Sequence, residues 1–392
     1  MAKTSQIRDV VVIGAGPAGL TASAKLASLG HDVVVLEEHA EVGSPVHCTG
    51  VLGVDAFDEL DLPREPILTI TGAASFRYGH GEPVIVETDR IKAAVIDRGR
   101  FDAALAVRAA AAGVDVRTSA RVDGLDVLPD GVHVRVRDGA PVHARVCVLA
   151  CGANYRFNRE LGLGVPRAFV QTAQVETPFA LLPRIDVRFS REVAPGGFAW
   201  AVPFLRGGRP YARLGLFCDE GAAVRFAAFC RQIADENGVD AASLPAPRLK
   251  MLPLGPVKRT VADRVVAIGD AAGLVKPTTG GGIYYSILSG AMAGEGLDVA
   301  LRRDQFSERQ LRACEDGWRA RLGPDIRAGL AFRALATRIG DRGIQALVEV
   351  ARVDGIIPLL KETADFNWHR TAALALLRHP SVRKAVISSI WS

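Results

Sequence analysis

Glycine at positions 14, 16 and 19, with a carboxylate at Glu37 a little over twenty residues past the first of them, is a spacing that can hold a dinucleotide. Gly14 permits a tight turn, Gly16 lets a pyrophosphate approach the backbone, and Gly19 lets a helix pack closely on a strand, with Pro17 and Ala18 completing the loop. Glu37 would accept from the ribose hydroxyls of an adenosine and repel a 2′-phosphate. A second cluster couples Gly269-Asp270 to Gly280-Gly281-Gly282 and Ile283. Three residues without side chains let backbone amides come close to a planar ring and stabilise negative charge on it. A third stretch, Pro45-Val46-His47-Cys48-Thr49-Gly50, carries a thiol that could donate a proton or tune a redox cycle. His47 precedes Cys48, but neighbours in an extended segment point to opposite faces. Phe198, Trp200 and Pro203, with Val202 and Phe204, offer a flat apolar wall with little to hydrogen-bond.

The elements around these residues read as a nucleotide-binding unit with insertions. Val10 to Ile13 is a short β-branched run, the pattern of a buried parallel strand, and it leads through the glycines into a helical pattern from Leu20. After Gly30 a second strand, Asp32 to Leu36, ends at Glu37-Glu38. Residues 67–88 alternate as strands around Gly79 to Gly81, and Asp97-Arg98-Gly99-Arg100-Phe101-Asp102 opens an alanine-rich helix. Val114 to Val116, Val132 to Val136 and Ala144 to Leu149 read as strands, and 168–217 is mostly strand-like. A helix is expected around Ala222 to Glu236, and then Leu249 to Leu254. Arg264 to Ile268 is another buried strand entering Gly269-Asp270, a long helix starts near Ile283, and the chain is helical and arginine-rich from residue 300. The expected division is a nucleotide domain from 1–66, 89–165 and 249–300, a β-sheet domain from 67–88 and 166–248, and a helical region over 301–392.

Composition narrows the function classes. A chain of 392 residues can bury a sizeable core, and although 49% of it is apolar, no stretch approaches a membrane span. Met1 to Thr4 lead almost at once into the first strand, which leaves no room for a signal peptide. The net charge of +5 is spread without a basic tract, so nucleic acid is not an expected partner. Cysteines 48, 147, 151, 218, 230 and 314 form no CxxC pair, which argues for a reducing, cytoplasmic setting and against zinc or an iron–sulfur cluster. No metal is expected.

Three separated motifs, Gly14 to Gly19 with Glu37, the Asp97-Arg98…Phe101-Asp102 helix start, and Gly269-Asp270, make the chain resemble flavoproteins of the para-hydroxybenzoate hydroxylase-like, glutathione-reductase-type superfamily. That resemblance implies an α/β fold with a Rossmann-type FAD-binding domain, an inserted antiparallel β-sheet substrate domain and a C-terminal helical region. It implies FAD as cofactor, Asp270 on the ribityl chain, and Arg98, or its close rival Arg100, near the FAD. Within the superfamily the chain looks most like geranylgeranyl reductases. Pro45-Val46-His47-Cys48-Thr49-Gly50 resembles their Pro-x-x-Cys-x-Gly stretch near the flavin. Phe198-Ala199-Trp200-Ala201-Val202-Pro203 resembles their Tyr-x-Trp-x-Phe-Pro substrate motif, with Phe for Tyr and Val for Phe. The run from Gly269 to Ile283-Tyr284-Tyr285 also fits. The implied reaction is reduction of isolated carbon–carbon double bonds in a prenyl chain, with Cys48 and His47 as catalytic candidates and Phe198, Trp200, Pro203 and Tyr284 against the substrate.

An isolated alkene is a poor hydride acceptor, so a proton must arrive with or before the hydride in a dry, apolar site. Two other activities share the fold. Flavin-dependent halogenases carry Trp-x-Trp-x-Ile-Pro, whose first Trp is missing here, and aromatic hydroxylases carry Asp-Gly where this chain has Cys151-Gly152. A non-catalytic prenyl-binding protein is the reading of a different class, disfavoured by intact FAD motifs. No second dinucleotide fingerprint is visible, so the electron donor stays open among NAD(P)H, ferredoxin and another reductase. At the chain's end Val382, Val386 and Ile390 fall one helical turn apart with Ala385, flanked by Arg383 and Lys384 and closed by Trp391. Such a stripe suits either a bilayer interface, where a prenyl substrate would be met, or the protein's own core.

Overall fold

Val10, Val11 and Val12 are fully buried, as a strand covered on both faces requires. In the computed structural model, which describes residues 7–391 apart from 91, 180, 181 and 354, they form the centre of a mostly parallel sheet. Met1 to Thr4, read above as leaving no room for a signal peptide, lie outside the described residues. The chain divides into two units, Met1–Val46, Arg98–Ala168 and Pro253–Ile326 forming the first, and His47–Asp97, Phe169–Leu252 and Arg327–Ser392 the second.

In the first unit, Arg8–Ile13 pairs in parallel with Val33–Leu36 and Val142–Leu149, which continue in parallel to Asp115–Arg117 and Val265–Ala267. A hairpin of Val122–Leu128 and Gly131–Val136 extends Val142–Leu149 antiparallel. Parallel pairing brings the carboxyl ends of the strands to one edge, so the loops at Gly14, Glu37, Ala150 and Gly269 emerge side by side. Helix Pro17–Ser28 packs on helix Ile283–Arg303, and glycines make the approach close. A Cβ at Gly290 would stand 2.4 Å from the Ala18 carbonyl oxygen. Helix Glu308–Arg321 closes the unit, its Trp318 Nε1 donating to Thr260 Oγ1 at 2.9 Å.

The second unit is a seven-stranded sheet in the order Arg248–Leu254, Ala168–Pro178, Arg209–Cys218, Phe198–Arg206, Ile185–Phe189, Ala73–Tyr78 and Val84–Glu87. One face meets helix Ala222–Asn237, with Ala199, Ala201, Leu214 and Leu216 against Phe226, Phe229 and Ile233. A three-stranded sheet pairs Val51–Gly53 and Ile67–Thr71 with Ala93–Ile96. Residues 47–66 and 89–97 therefore group with the second unit, where the sequence had placed them with the first. Residues 327–392 join the second unit as well: the Arg333 guanidinium stacks 5.3 Å from the Phe217 ring centre and bonds Asp219 at 2.8 Å, and Asn367 bonds Asp55 at 2.9 Å. Helix Gly323–Val353 is broken at Gly340 (φ 62, ψ −164), a conformation open only to glycine.

In the last helix, Pro380–Trp391, Val382 and Ala385 are buried and Val386 half-buried, so the described part of the apolar stripe is covered by the chain itself. The side chains of Ile390 and Trp391 lie outside the described residues.

Candidate functional site

Gly14 and Gly19 are glycines because the protein's own backbone fills the space beside them. A Cβ would fall 2.5 Å from the Ala150 carbonyl oxygen at Gly14 and 2.1 Å from the Gly14 oxygen at Gly19. Gly16 differs, since a Cβ there meets nothing within 4 Å. It is the N-cap of helix Pro17–Ser28, with no side chain capping the helix. Helix amides thus face open space, which is what a pyrophosphate needs. Glu37 leans on this loop, Oε2 accepting from Ala15 N at 2.9 Å and Oε1 from His39 N at 3.0 Å. The Glu37 Oε1 also lies 2.6 Å from His39 Nδ1. A carboxylate has about four acceptor positions, which leaves room for a ribose hydroxyl. The residues present fit FAD.

The Gly269-Asp270 turn docks on the same helix. A Cβ at Gly269 would be 2.9 Å from Ala18 Cβ, and Gly269 N donates to Ser289 Oγ at 3.0 Å. Tyr155 Oη donates to the Asp270 carbonyl at 2.7 Å, and the Asp270 carboxylate lies against Gly282, where a Cβ would be 2.9 Å from Oδ1. Gly280 (φ 69) spends its amide on Lys276 O at 2.8 Å, so the three-amide expectation reduces to Gly281 and Gly282. Lys276 is buried, its Nζ 5.7 Å from the Tyr284 ring centre. Ile283 is buried too. Tyr284, expected against the substrate, is 1% exposed in the core of the first unit, because its helix turns that position inward. Arg98 forks onto Asp102 at 2.8 and 3.0 Å, and Arg100 is exposed. Burial pushes the Asp102 carboxyl up, and Arg98 pulls it back. Pro45 is exposed in the first unit.

His47, Cys48, Phe198, Trp200 and Pro203 belong to the second unit. Alternation along Phe198–Arg206 sends Ala199 and Ala201 to the helix side and Phe198 and Trp200 to the other. Phe198 sits 4.6 Å from Phe217 and 5.8 Å from both Phe189 and Trp200, ring centre to ring centre. Trp200 lies over Gly215, where a Cβ would stand 2.4 Å from its ring, and its buried Nε1 has no hydrogen-bond partner among the described residues. Pro203 pairs with the fully buried Ala212, on the side opposite Trp200, so the register removes it from the aromatic face.

The Cys48 segment runs along that aromatic face. Thr172 pairs with Phe217 and Gln174 with Gly215; His47 Nε2 is 3.1 Å from Thr172 Oγ1, and Thr49 Oγ1 donates to Gln174 Oε1 at 2.7 Å. Thr172 gives its only proton to the Lys250 carbonyl at 3.0 Å, so His47 Nε2 must be the donor and Nδ1 the bare nitrogen. Burial, then Lys250 and Arg248, lower the His47 pKa to about 4, and the ring is neutral at pH 7. Gly50 (φ 63) turns its amide back onto Cys48 Sγ at 3.3 Å, which accounts for a glycine two residues after the cysteine. Arg213, 1% exposed, clamps the segment: it donates to Thr49 O at 2.6 Å, Ile96 O at 2.9 Å and Glu176 at 2.9 Å, and lies 4.8 Å from the Phe204 ring centre. Sequence reasoning missed Arg213, whose signal was a cation in the middle of the apolar strand Arg209–Cys218, on its aromatic side.

The family model described as Lycopene cyclase protein matches residues 9–337. Digeranylgeranylglycerophospholipid reductase of Methanocaldococcus jannaschii is 30% identical over 381 residues, covering 91% of this chain and 94% of its own. The relative named digeranylgeranylglycerophospholipid reductase 2 of Methanothermobacter thermautotrophicus is 30% identical over 355 residues, covering 87% and 90%. The chain belongs to the geranylgeranyl reductase family of FAD-dependent oxidoreductases. A geranylgeranyl bacteriochlorophyll reductase-like protein from Thermoplasma acidophilum has the same fold as this reductase, with a TM-score of 0.82 over 98% of this chain and all of that one at 23% identity. The halogenase PltM, in complex with phloroglucinol and FAD, matches at 0.65 over 98% of this chain and 91% of its own at 16% identity. Among the described residues no helix of the reductase is long and apolar enough to cross a membrane, and no cluster could hold a metal.

Proposed function

We propose that this enzyme saturates isolated carbon–carbon double bonds in a prenyl chain of the geranylgeranyl type, bound FAD in its reduced form supplying the hydride. The observation that carries the reading is the aromatic face of Phe189, Phe198, Trp200 and Phe217, on which the indole nitrogen of Trp200 is buried without a partner among the described residues. Apart from that one N–H, the rings have no hydrogen bond to offer, which suits a hydrocarbon chain and would leave most of a polar substrate's groups unsatisfied. The two named relatives act, by their names, on a phospholipid bearing geranylgeranyl chains, and that substrate class is part of the proposal.

In this reading the Gly16 loop and the amides of helix Pro17–Ser28 hold the pyrophosphate, Glu37 a ribose, Asp270 the ribityl chain, and the Gly281 and Gly282 amides the ring. Arg98 acts through Asp102 to fix its helix start. Saturation needs a proton as well as a hydride, and Cys48 holds that proton on Sγ, next to the Gly50 amide. His47, neutral and donating to Thr172, orients the segment and does not serve as an acid at pH 7. Arg213 keeps the segment in place. The electron donor is NAD(P)H, ferredoxin or another reductase, and the enzyme works in the cytoplasm, meeting its lipid at a membrane surface. Anaerobic incubation of the dithionite-reduced protein with a panel of polyprenyl compounds tests the reading by mass. Gains of two hydrogens per reduced bond are expected, and unchanged masses across the panel would refute it.

A further inference from the structure

Large apolar side chains are exposed together at one edge of the second unit. Val224, at the start of helix Ala222–Asn237, is 77% exposed, and Leu249 and Met251, on strand Arg248–Leu254, are 57% and 47% exposed. They come from segments about 25 residues apart in sequence and line a single cleft of about 370 Å³ together with Thr172 and Lys250. Single exposed hydrophobics need no explanation, but a contiguous apolar patch rimmed by charge marks a docking surface. No carboxylate lines this cleft. On the same strand Arg248 and Lys250 are both exposed, and alternation sends them to the face opposite Leu249 and Met251. The strand stands at the end of its sheet, so nothing from the sheet covers its outer side.

We propose that this edge, built from Val224, Leu249, Met251 and the cations Arg248 and Lys250, docks on a bilayer containing anionic phospholipid. Apolar side chains that enter the acyl boundary, with lysine and arginine reaching phosphates from the other face of the same edge strand, are what an interfacial surface requires. The inference rests on the lipid-substrate reading for its purpose, but not for its test. It also moves the membrane contact away from the terminal stripe, whose Val382 and Ala385 are buried.

Flotation of the holoenzyme with vesicles of phosphatidylglycerol and phosphatidylcholine, against phosphatidylcholine alone, reads the docking. The wild type is expected to float with the anionic vesicles and weakly with the neutral ones. Replacing one buried apolar side chain by a polar one costs about tenfold in partitioning, so Leu249→Asp with Met251→Asp should lower it about a hundredfold. Lys250→Gln should lower it about fivefold on anionic vesicles only. Leu249 and Met251 are exposed and take no part in the site, so melting temperature and reduction of a detergent-dispersed prenyl alcohol by the double variant should match the wild type. A wild type that does not float, or a double variant that floats as well, overturns the proposal. A dimer that the double variant dissolves, without flotation, would assign the edge to a second copy instead and equally overturn it. Failure to reduce any prenyl compound would strike the substrate reading, while flotation would still decide this one.

Discussion

Replacing Gly16 by alanine should separate cofactor binding from folding. Gly16 has φ −78 and ψ 177, extended values that alanine adopts without strain, and a Cβ there meets no protein atom within 4 Å. Two small terms oppose each other in the apoprotein. A less flexible unfolded chain stabilises by about 0.4–1 kcal/mol. Alanine is a poorer N-cap than glycine by about 0.5–1 kcal/mol. The net change is within about 0.5 kcal/mol, a shift of no more than about 2 °C in melting. With FAD the outcome differs, because the methyl group occupies the space proposed for the pyrophosphate. Loss of about two charge-assisted hydrogen bonds, at about 1.5–3 kcal/mol each, raises the dissociation constant roughly a hundredfold to ten-thousandfold. The assay is a fluorescence titration of deflavinated protein with FAD, beside thermal melts with and without the cofactor. The wild type should gain stability with FAD and Gly16→Ala should not, although their apoproteins melt alike. Gly19→Ala is the control that should lose both, its Cβ lying 2.1 Å from the Gly14 oxygen. Wild-type FAD affinity in Gly16→Ala would refute the placement of the phosphates, and an apoprotein melting many degrees lower would refute the open space.

Arg213→Met should destabilise the protein by about 2–5 kcal/mol in chemical denaturation, because the buried carbonyls of Thr49 and Ile96 lose their donor; a loss under 1 kcal/mol would mean that water replaces the guanidinium at little cost. Cys48→Ala should keep FAD and the fold but slow alkene reduction about a hundredfold, the scale of an acid–base contribution. Full activity in that variant would leave the thiol a packing role. His47 takes its proton near 6.5 when unfolded but only near 4 in the fold, so the unfolded state binds more protons between those values. Its contribution to stability is complete above pH 6.5 and is lost as pH falls toward 4. Thermal melts across that window should show the decline, and His47→Gln should flatten it. An equal decline in His47→Gln would assign it to other groups.

The first fifty residues were legible because their signals are local: a β-branched strand, glycines at fixed spacing and an acid at the next strand's end lie within one βαβ unit. Asp270 and the glycines after it were legible for the same reason. The division into units was not, because Val51–Gly53 meets Ala93–Ile96 across some forty residues with no mark in either segment. Periodicity showed that Val382, Ala385 and Val386 share a helix face, yet the same stripe suits a bilayer or a protein core, and the structure buries Val382 and Ala385 and half-buries Val386. Pro203 illustrates the strength of register: Phe198 and Trp200 of the substrate motif face one way, and its pairing with Ala212 turns it the other. Arg213 escaped because a cation in an apolar strand reads as an edge position until its partners, two carbonyls and Glu176, are seen.

The account's central claim is that flavin held by the Gly16–Asp270 cradle reduces prenyl double bonds. Anaerobic titration of the photoreduced holoenzyme with a geranylgeranyl lipid tests it most directly, with the flavin spectrum and the lipid mass read on the same sample. The expected result is one double bond saturated for each flavin returned to its oxidised spectrum, and neither change in a flavin-free Gly16→Ala sample. A flavin that stays reduced in excess lipid, or one that oxidises while the lipid gains no hydrogen, would contradict the account.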